Sequence, residues 1–124
     1  MNFKKAIDII NEEEGKIGEI KGYKFYLKMG KEGNIPHIHY IGETVGCIAI
    51  EYAAYFNHEQ GMKQLTSVAE KELLHILNSN DEWWNRMVKM WNMLFPHNKV
   101  RINYNPYRNA KHILPSVPST RPEV

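Results

Sequence analysis

Tyr23-Lys24-Phe25-Tyr26-Leu27-Lys28-Met29 decides how this chain folds. Side chains alternate across a strand, so Tyr23, Phe25, Leu27 and Met29 share one face while Lys24, Tyr26 and Lys28 share the other. One face is apolar and the other is mostly cationic, which predicts a half-buried strand. Residues 17–20 read as a short strand before it, joined by Lys21-Gly22, a pair suited to a tight turn. After it, Gly30-Lys31-Glu32-Gly33-Asn34 reads as a loop, residues 35–41 as a strand, Gly42-Glu43-Thr44 as a turn, and residues 45–52 as a fourth strand. Connections this short join antiparallel neighbours, so an antiparallel meander of about four strands is expected.

Helices are expected on either side of the sheet. At the N-terminus, Phe3, Ala6, Ile7 and Ile10 recur on one helical face, with Asn2 as a cap and Gly15 as a stop. In the second half, Ser67-Val68-Ala69-Glu70 has the form of a capping box and opens a helix through about residue 77. Asp81 can cap another helix, on which Trp84, Met87, Val88, Trp91 and Leu94 form a single stripe, stopped by Pro96. The fold class is therefore α+β: a meander packed by an N-terminal helix and two C-terminal helices. Beyond residue 95 no periodicity is visible and five of the six prolines occur there. The expected organisation is one domain over 1–95 and an extended basic tail over 96–124.

The composition fits that plan. The chain has 124 residues, 43% hydrophobic and 24% charged, enough for one modest core. No apolar run approaches the roughly 20 residues of a membrane span and no signal-peptide core is visible, so a cytoplasmic protein is expected. The single cysteine, Cys47, excludes an internal disulfide and any multi-cysteine metal site. The net charge of +2 is uneven. Residues 1–95 hold 11 Lys/Arg against 13 Asp/Glu, whereas 96–124 hold Lys99, Arg101, Arg108, Lys111 and Arg121 against Glu123. A basic segment behind a mildly acidic body is a contact arm for a polyanionic or acidic partner in some proteins, and more often is merely solvated.

The chemistry-bearing motif is the strand Pro36-His37-Ile38-His39-Tyr40. His37 and His39, at i and i+2, stand on one face roughly 7 Å apart and can lean toward one metal ion. Zinc is the expected metal, and it needs further protein ligands. His58, after Tyr55-Phe56-Asn57, and Cys47, on the neighbouring strand, are the candidates, with Glu51 on the same face as Cys47. The parity of the hairpin turn decides the matter. An odd number of turn residues sets His39 opposite Cys47, whereas an even number sets the histidines against Ile48 and Ile50, as half-buried core groups. His75 is a more remote candidate, better read as a surface or core histidine. A nucleophilic pair of Cys47 and His39 lacks any marked oxyanion hole. Gly30, Gly33 and Gly42 are spaced like turns and not like a phosphate-binding loop. The acidic run Glu12-Glu13-Glu14 reads as surface and not as paired catalytic carboxylates.

The segment from Gly22-Tyr23-Lys24-Phe25-Tyr26 through Gly33-Asn34-Ile35-Pro36-His37-Ile38-His39 resembles a family of small bacterial proteins (a domain of unknown function). They share an aromatic strand, a Gly-Asn loop, a Pro-His-x-His strand and a later helix closing on a tryptophan, here Trp91. The likeness spans roughly residues 17–94 and carries no activity with it. In size and character, though not in motif, the chain is also similar to metal-binding anti-CRISPR proteins of phages that block Cas9. That likeness implies a stoichiometric inhibitor with a macromolecular protein partner, a Cas nuclease among the candidates. A metal-dependent hydrolase acting on nucleic acid and a toxin–antitoxin component are the alternatives to it.

Overall fold

The protein is described from a computed structural model covering residues 15–28 and 35–117. The expected N-terminal helix, Met29 with the whole 30–34 loop, and the last residues of the tail lie outside the described residues. Four strands form an antiparallel sheet in the order β1-β2-β3-β4: β1 Lys16–Ile20, β2 Tyr23–Tyr26, β3 His37–Ile41 and β4 Val45–Ala49. Two helices follow, α1 Ser67–Ser79 and α2 Glu82–Leu94. The α+β meander expected from the sequence is what forms, with β2, β3 and β4 shorter than the alternation suggests and β1 one residue longer at its start.

The turns set the register. Lys21 and Gly22 both take positive φ, 49° and 82°, the left-handed pair that closes a two-residue hairpin. Between β3 and β4, Ile41 pairs with Val45 across the three residues Gly42, Glu43 and Thr44, so Tyr40 pairs with Gly46, His39 with Cys47 and His37 with Ala49. Pairing of Tyr26 with His39 carries the same row onto β2.

One face of the sheet carries Phe25, Ile38, Tyr40 and Ile48, all fully buried. The helices cover it with Leu73, Leu77, Trp84, Met87, Val88 and Trp91, members of the same core cluster. The stripe on α2 is thus the packing face expected of it; its last member, Leu94, is only half-buried. Gly18 is fixed by this packing, because a Cβ there would lie 2.6 Å from the Trp83 ring. Helix α1 begins one residue earlier than the capping box implies: the N-cap is Thr66, whose hydroxyl accepts from the Ala69 N–H at 3.3 Å. Asp81 occupies the N-cap of α2 without a capping bond of its own, and Asn80 Oδ1 accepts from Glu82 N–H at 2.9 Å instead.

Residues 96–117 differ from the extended tail expected of them. Val100, Tyr107 and Ile113 are buried in the main core, and the segment is tied down by side chains of the helices. Trp91 Nε1 donates to Asn98 O at 2.7 Å and Trp84 Nε1 to Ile102 O at 2.6 Å. The Asn92 amide both donates to and accepts from Val100, and Asn78 donates to Tyr107 O at 2.9 Å. Chain held by such side-chain-to-backbone bonds needs no helical or strand period, which is why none announced it. Among the described residues, no helix is long and apolar enough to cross a membrane.

Candidate metal centre

The odd turn puts His37, His39 and Cys47 on the sheet face away from Ile38, Tyr40 and Ile48, with His37 at the start of β3 still meeting Trp91 of α2. A fourth residue joins them because the chain doubles back after β4. Residues 54–56 run antiparallel along the free edge of β4: Ile48 bridges Tyr55, Ala49 N donates to Ala54 O at 2.9 Å, and Phe56 N donates to Cys47 O at 2.9 Å. That register sets Phe56 beside Cys47, and two residues later His58 falls on the same side.

The outcome is a cluster of His37, His39, Cys47 and His58 whose candidate ligand atoms all lie within 4.8 Å of one another. Cys47 Sγ is 3.2 Å from His39 Nδ1 and 3.3 Å from His58 Nε2. His37 Nδ1 lies 2.8 Å from Ile35 O. A carbonyl only accepts, so that nitrogen carries the proton and the Nε2 of His37 keeps the lone pair. The Glu59 carboxylate lies 4.0 Å from His58 Nδ1, on the far side of that ring from Cys47.

Three of the four residues are enclosed: His37 is 1% exposed, His39 4% and Cys47 0%. His58 is a surface residue, with its side chain 22% exposed. Aromatic rings wall the cluster. Tyr26 stacks on His39 at 5.6 Å, Phe56 stacks on His58 at 4.6 Å and meets His37 at 5.0 Å, and Trp91 lies 6.0 Å from His37. These walls limit water around the donors and hold the imidazole planes, two conditions that favour capture of a cation by neutral nitrogen and thiolate ligands. Such a donor set could hold a metal ion.

All four of the expected ligands are therefore brought together. Glu51 is buried but stands outside the cluster, since β4 ends at Ala49 and the chain turns there. His75 is an exposed residue of α1 and is also outside it. The residues that sequence reasoning missed are the walls, Tyr26 and Phe56. Tyr26 was in view as the aromatic on the cationic face of β2, while Phe56 is identified only by the strand-like return of residues 54–56. Comparison of the chain with protein families, with curated proteins and with solved structures finds no match.

Proposed function

We propose that the cluster binds zinc and that the protein works as a zinc-organised binding module, acting stoichiometrically on a macromolecular partner and not by turnover. The observation that supports this is the convergence of three imidazoles and one thiol on a single point from β3, β4 and the returning 54–58 segment. For zinc bonds of about 2.0–2.1 Å to nitrogen and about 2.3 Å to sulfur in a tetrahedron, donor atoms sit roughly 3.3–3.6 Å apart. The two sulfur-to-nitrogen distances of 3.2 and 3.3 Å are already close to that spacing. Mixed nitrogen and thiolate donors suit zinc better than magnesium or calcium, which prefer oxygen.

Four protein ligands fill a tetrahedral shell, the pattern of a structural site, whereas a hydrolytic zinc keeps one position for water. Burial of His37, His39 and Cys47 also argues against Cys47 as a nucleophile, since a substrate needs access to the sulfur. Zinc in this position would fasten the chain after β4 to the sheet. The narrowest form of the reading is inhibition of a nucleic-acid-guided nuclease such as Cas9. It rests on likeness in size and character and on the aromatic content of 11%, aromatic rings being the side chains that protein interfaces favour.

Metal analysis of protein purified without chelator tests the first half: stoichiometric zinc is expected, lost in His39→Ala, and protein without metal sinks it. Removing the zinc should lower Tm, because an ion bound only to the folded state adds its binding energy to folding. Titrating Cas9 cleavage with the protein tests the narrow form of the second half, with inhibition expected to saturate at equimolar protein. Hydrolysis of DNA or RNA by the protein alone, abolished by His37→Ala, would replace the binding module with a metal-dependent hydrolase.

A further inference from the structure

The four residues of the cluster are not equivalent. His37, His39 and Cys47 stand on paired strands, mutually fixed by the β3–β4 ladder and almost wholly enclosed. His58 stands on irregular chain between two edge bonds to β4, Phe56 N to Cys47 O and Lys63 N to Val45 O, and just before Gly61, whose φ of +90° marks a change of direction open to solvent. Its own backbone N–H is held by Phe56 O at 3.1 Å, a bond local to the loop, and its imidazole is the one that reaches the surface. Rotating the other three out would break sheet packing. Swinging His58 out gives up its ring contacts with Phe56, His37 and His39 and its approach to Cys47 Sγ, but leaves the β3–β4 ladder intact.

We infer that the centre is a three-plus-one site: His37, His39 and Cys47 hold the metal permanently, and His58 is an exchangeable ligand that an incoming monodentate nitrogen donor, an imidazole of a partner, can displace. The inference rests on the metal-binding reading and gives that site a way to engage something outside the chain. Displacement exposes one coordination position toward solvent while the thiolate and two imidazoles keep the ion. Metal and partner are then coupled, since a donor arriving from outside gains a metal bond only when zinc is present.

Cobalt is the probe, because Co2+ takes the place of zinc and its absorption reports the thiolate bond and the coordination number separately. The full-length protein, its His58→Ala variant and its His39→Ala variant are loaded with Co2+, and free imidazole is added. In the wild type the absorption bands should survive imidazole, since one imidazole replaces another, while the hyperfine-shifted proton resonances of the cobalt-bound His58 ring give way to those of the added imidazole. His58→Ala should still take up stoichiometric Co2+ with the thiolate band intact and should respond to roughly ten-fold less imidazole, with no intramolecular competitor left. His39→Ala should lose the ion.

Failure of wild-type protein to bind Co2+ at all would count against the metal centre itself and not against exchange at it. Given binding, three results overturn the inference. One is loss of Co2+ by a His58→Ala variant whose circular dichroism is native, making His58 integral. The second is a His58→Ala spectrum identical to wild type and indifferent to imidazole, removing His58 from the shell. The third, which holds even if the variant fails to fold, is wild-type protein whose hyperfine-shifted His58 resonances persist at saturating imidazole or whose thiolate band imidazole bleaches completely.

Discussion

At Gly46 the sheet touches the chain that crosses it. A Cβ there would lie 2.4 Å from the Tyr40 hydroxyl and 2.7 Å from Lys63 O, and that hydroxyl donates to the same Lys63 carbonyl. Neither atom can retreat alone, since one is backbone and the other is bonded to it. Gly46→Ala should therefore destabilise the fold by about 1–3 kcal/mol, as overpacking of a filled site does. Urea denaturation would measure it, and a loss below about 0.5 kcal/mol would show that Lys63 and Tyr40 move apart freely. At this scale the sequence was informative about donors and silent about space. His37, His39, Cys47 and His58 were readable because few residue types bind metals and these lie within about twenty positions of one another. Gly46 looked like any strand glycine, because the crossing chain comes from residue 63.

The elements show where local pattern suffices and where it does not. Alternation in β2 and the stripe on α2 were legible because each marks one apolar face, although Tyr26 on the other face of β2 is buried as well, against His39. Whether His39 faces Cys47 or Ile48 depended on one integer, the length of the β3–β4 turn, and either parity satisfies the local sequence. That dependence is testable. Deleting Val45, the first residue of β4, should keep the three-residue turn and move β4 by one position against β3, setting His39 against Ile48 and turning Cys47 away. Metal binding should be lost altogether, together with stability, because Ile48 would leave the core. Retention of stoichiometric metal by the deletion variant would mean that the strands slide back to the native pairing at the expense of the turn. For α2, Trp84 and Trp91 are 1% and 0% exposed, and both donate Nε1 to carbonyls of the 98–102 chain. Replacing either by alanine should destabilise by about 3–5 kcal/mol. Trp84→Ala should spare the metal centre, whereas Trp91→Ala, which removes a ring 6.0 Å from His37, should weaken metal binding as well, by about 10–100-fold if the ring acts as an outer-shell support. Metal titration of the two variants separates these effects.

Over the whole molecule, the least legible feature was the packing of residues 96–117, because it is built from single anchors and not from a period. Tyr107 is one of them: fully buried, with its hydroxyl donating to Ala49 O at the end of β4. It therefore joins the segment expected to be a tail to the strand that carries Cys47. Tyr40 and Tyr55 are the matching anchors elsewhere in the core, bonded to Lys63 O and, at 2.5 Å, to Glu70 Oε1. Burial pushes all three phenols above their usual value of 10.0, and the bond to the Glu70 carboxylate adds to the shift for Tyr55. A phenol whose ionisation is harder in the folded state than in the unfolded chain stabilises the fold fully below about pH 10, the unfolded value, and loses that contribution as pH rises above it. Each such tyrosine lowers stability by at most about 1.4 kcal/mol per pH unit in that window, most fully for the wholly enclosed Tyr107, so the three together give a slope of no more than about 4 kcal/mol per unit. Denaturation curves between pH 9 and 12 should be flat at first and then fall steeply, and Tyr107→Phe should reduce the slope by at least about a third while removing the Ala49 bond. A protein whose stability stays level through pH 11 would have its tyrosines open to solvent, and the packing of residues 96–117 against β4 would then be wrong. A fall that coincides with release of the metal at much lower pH would instead identify the metal centre as the element that fails first.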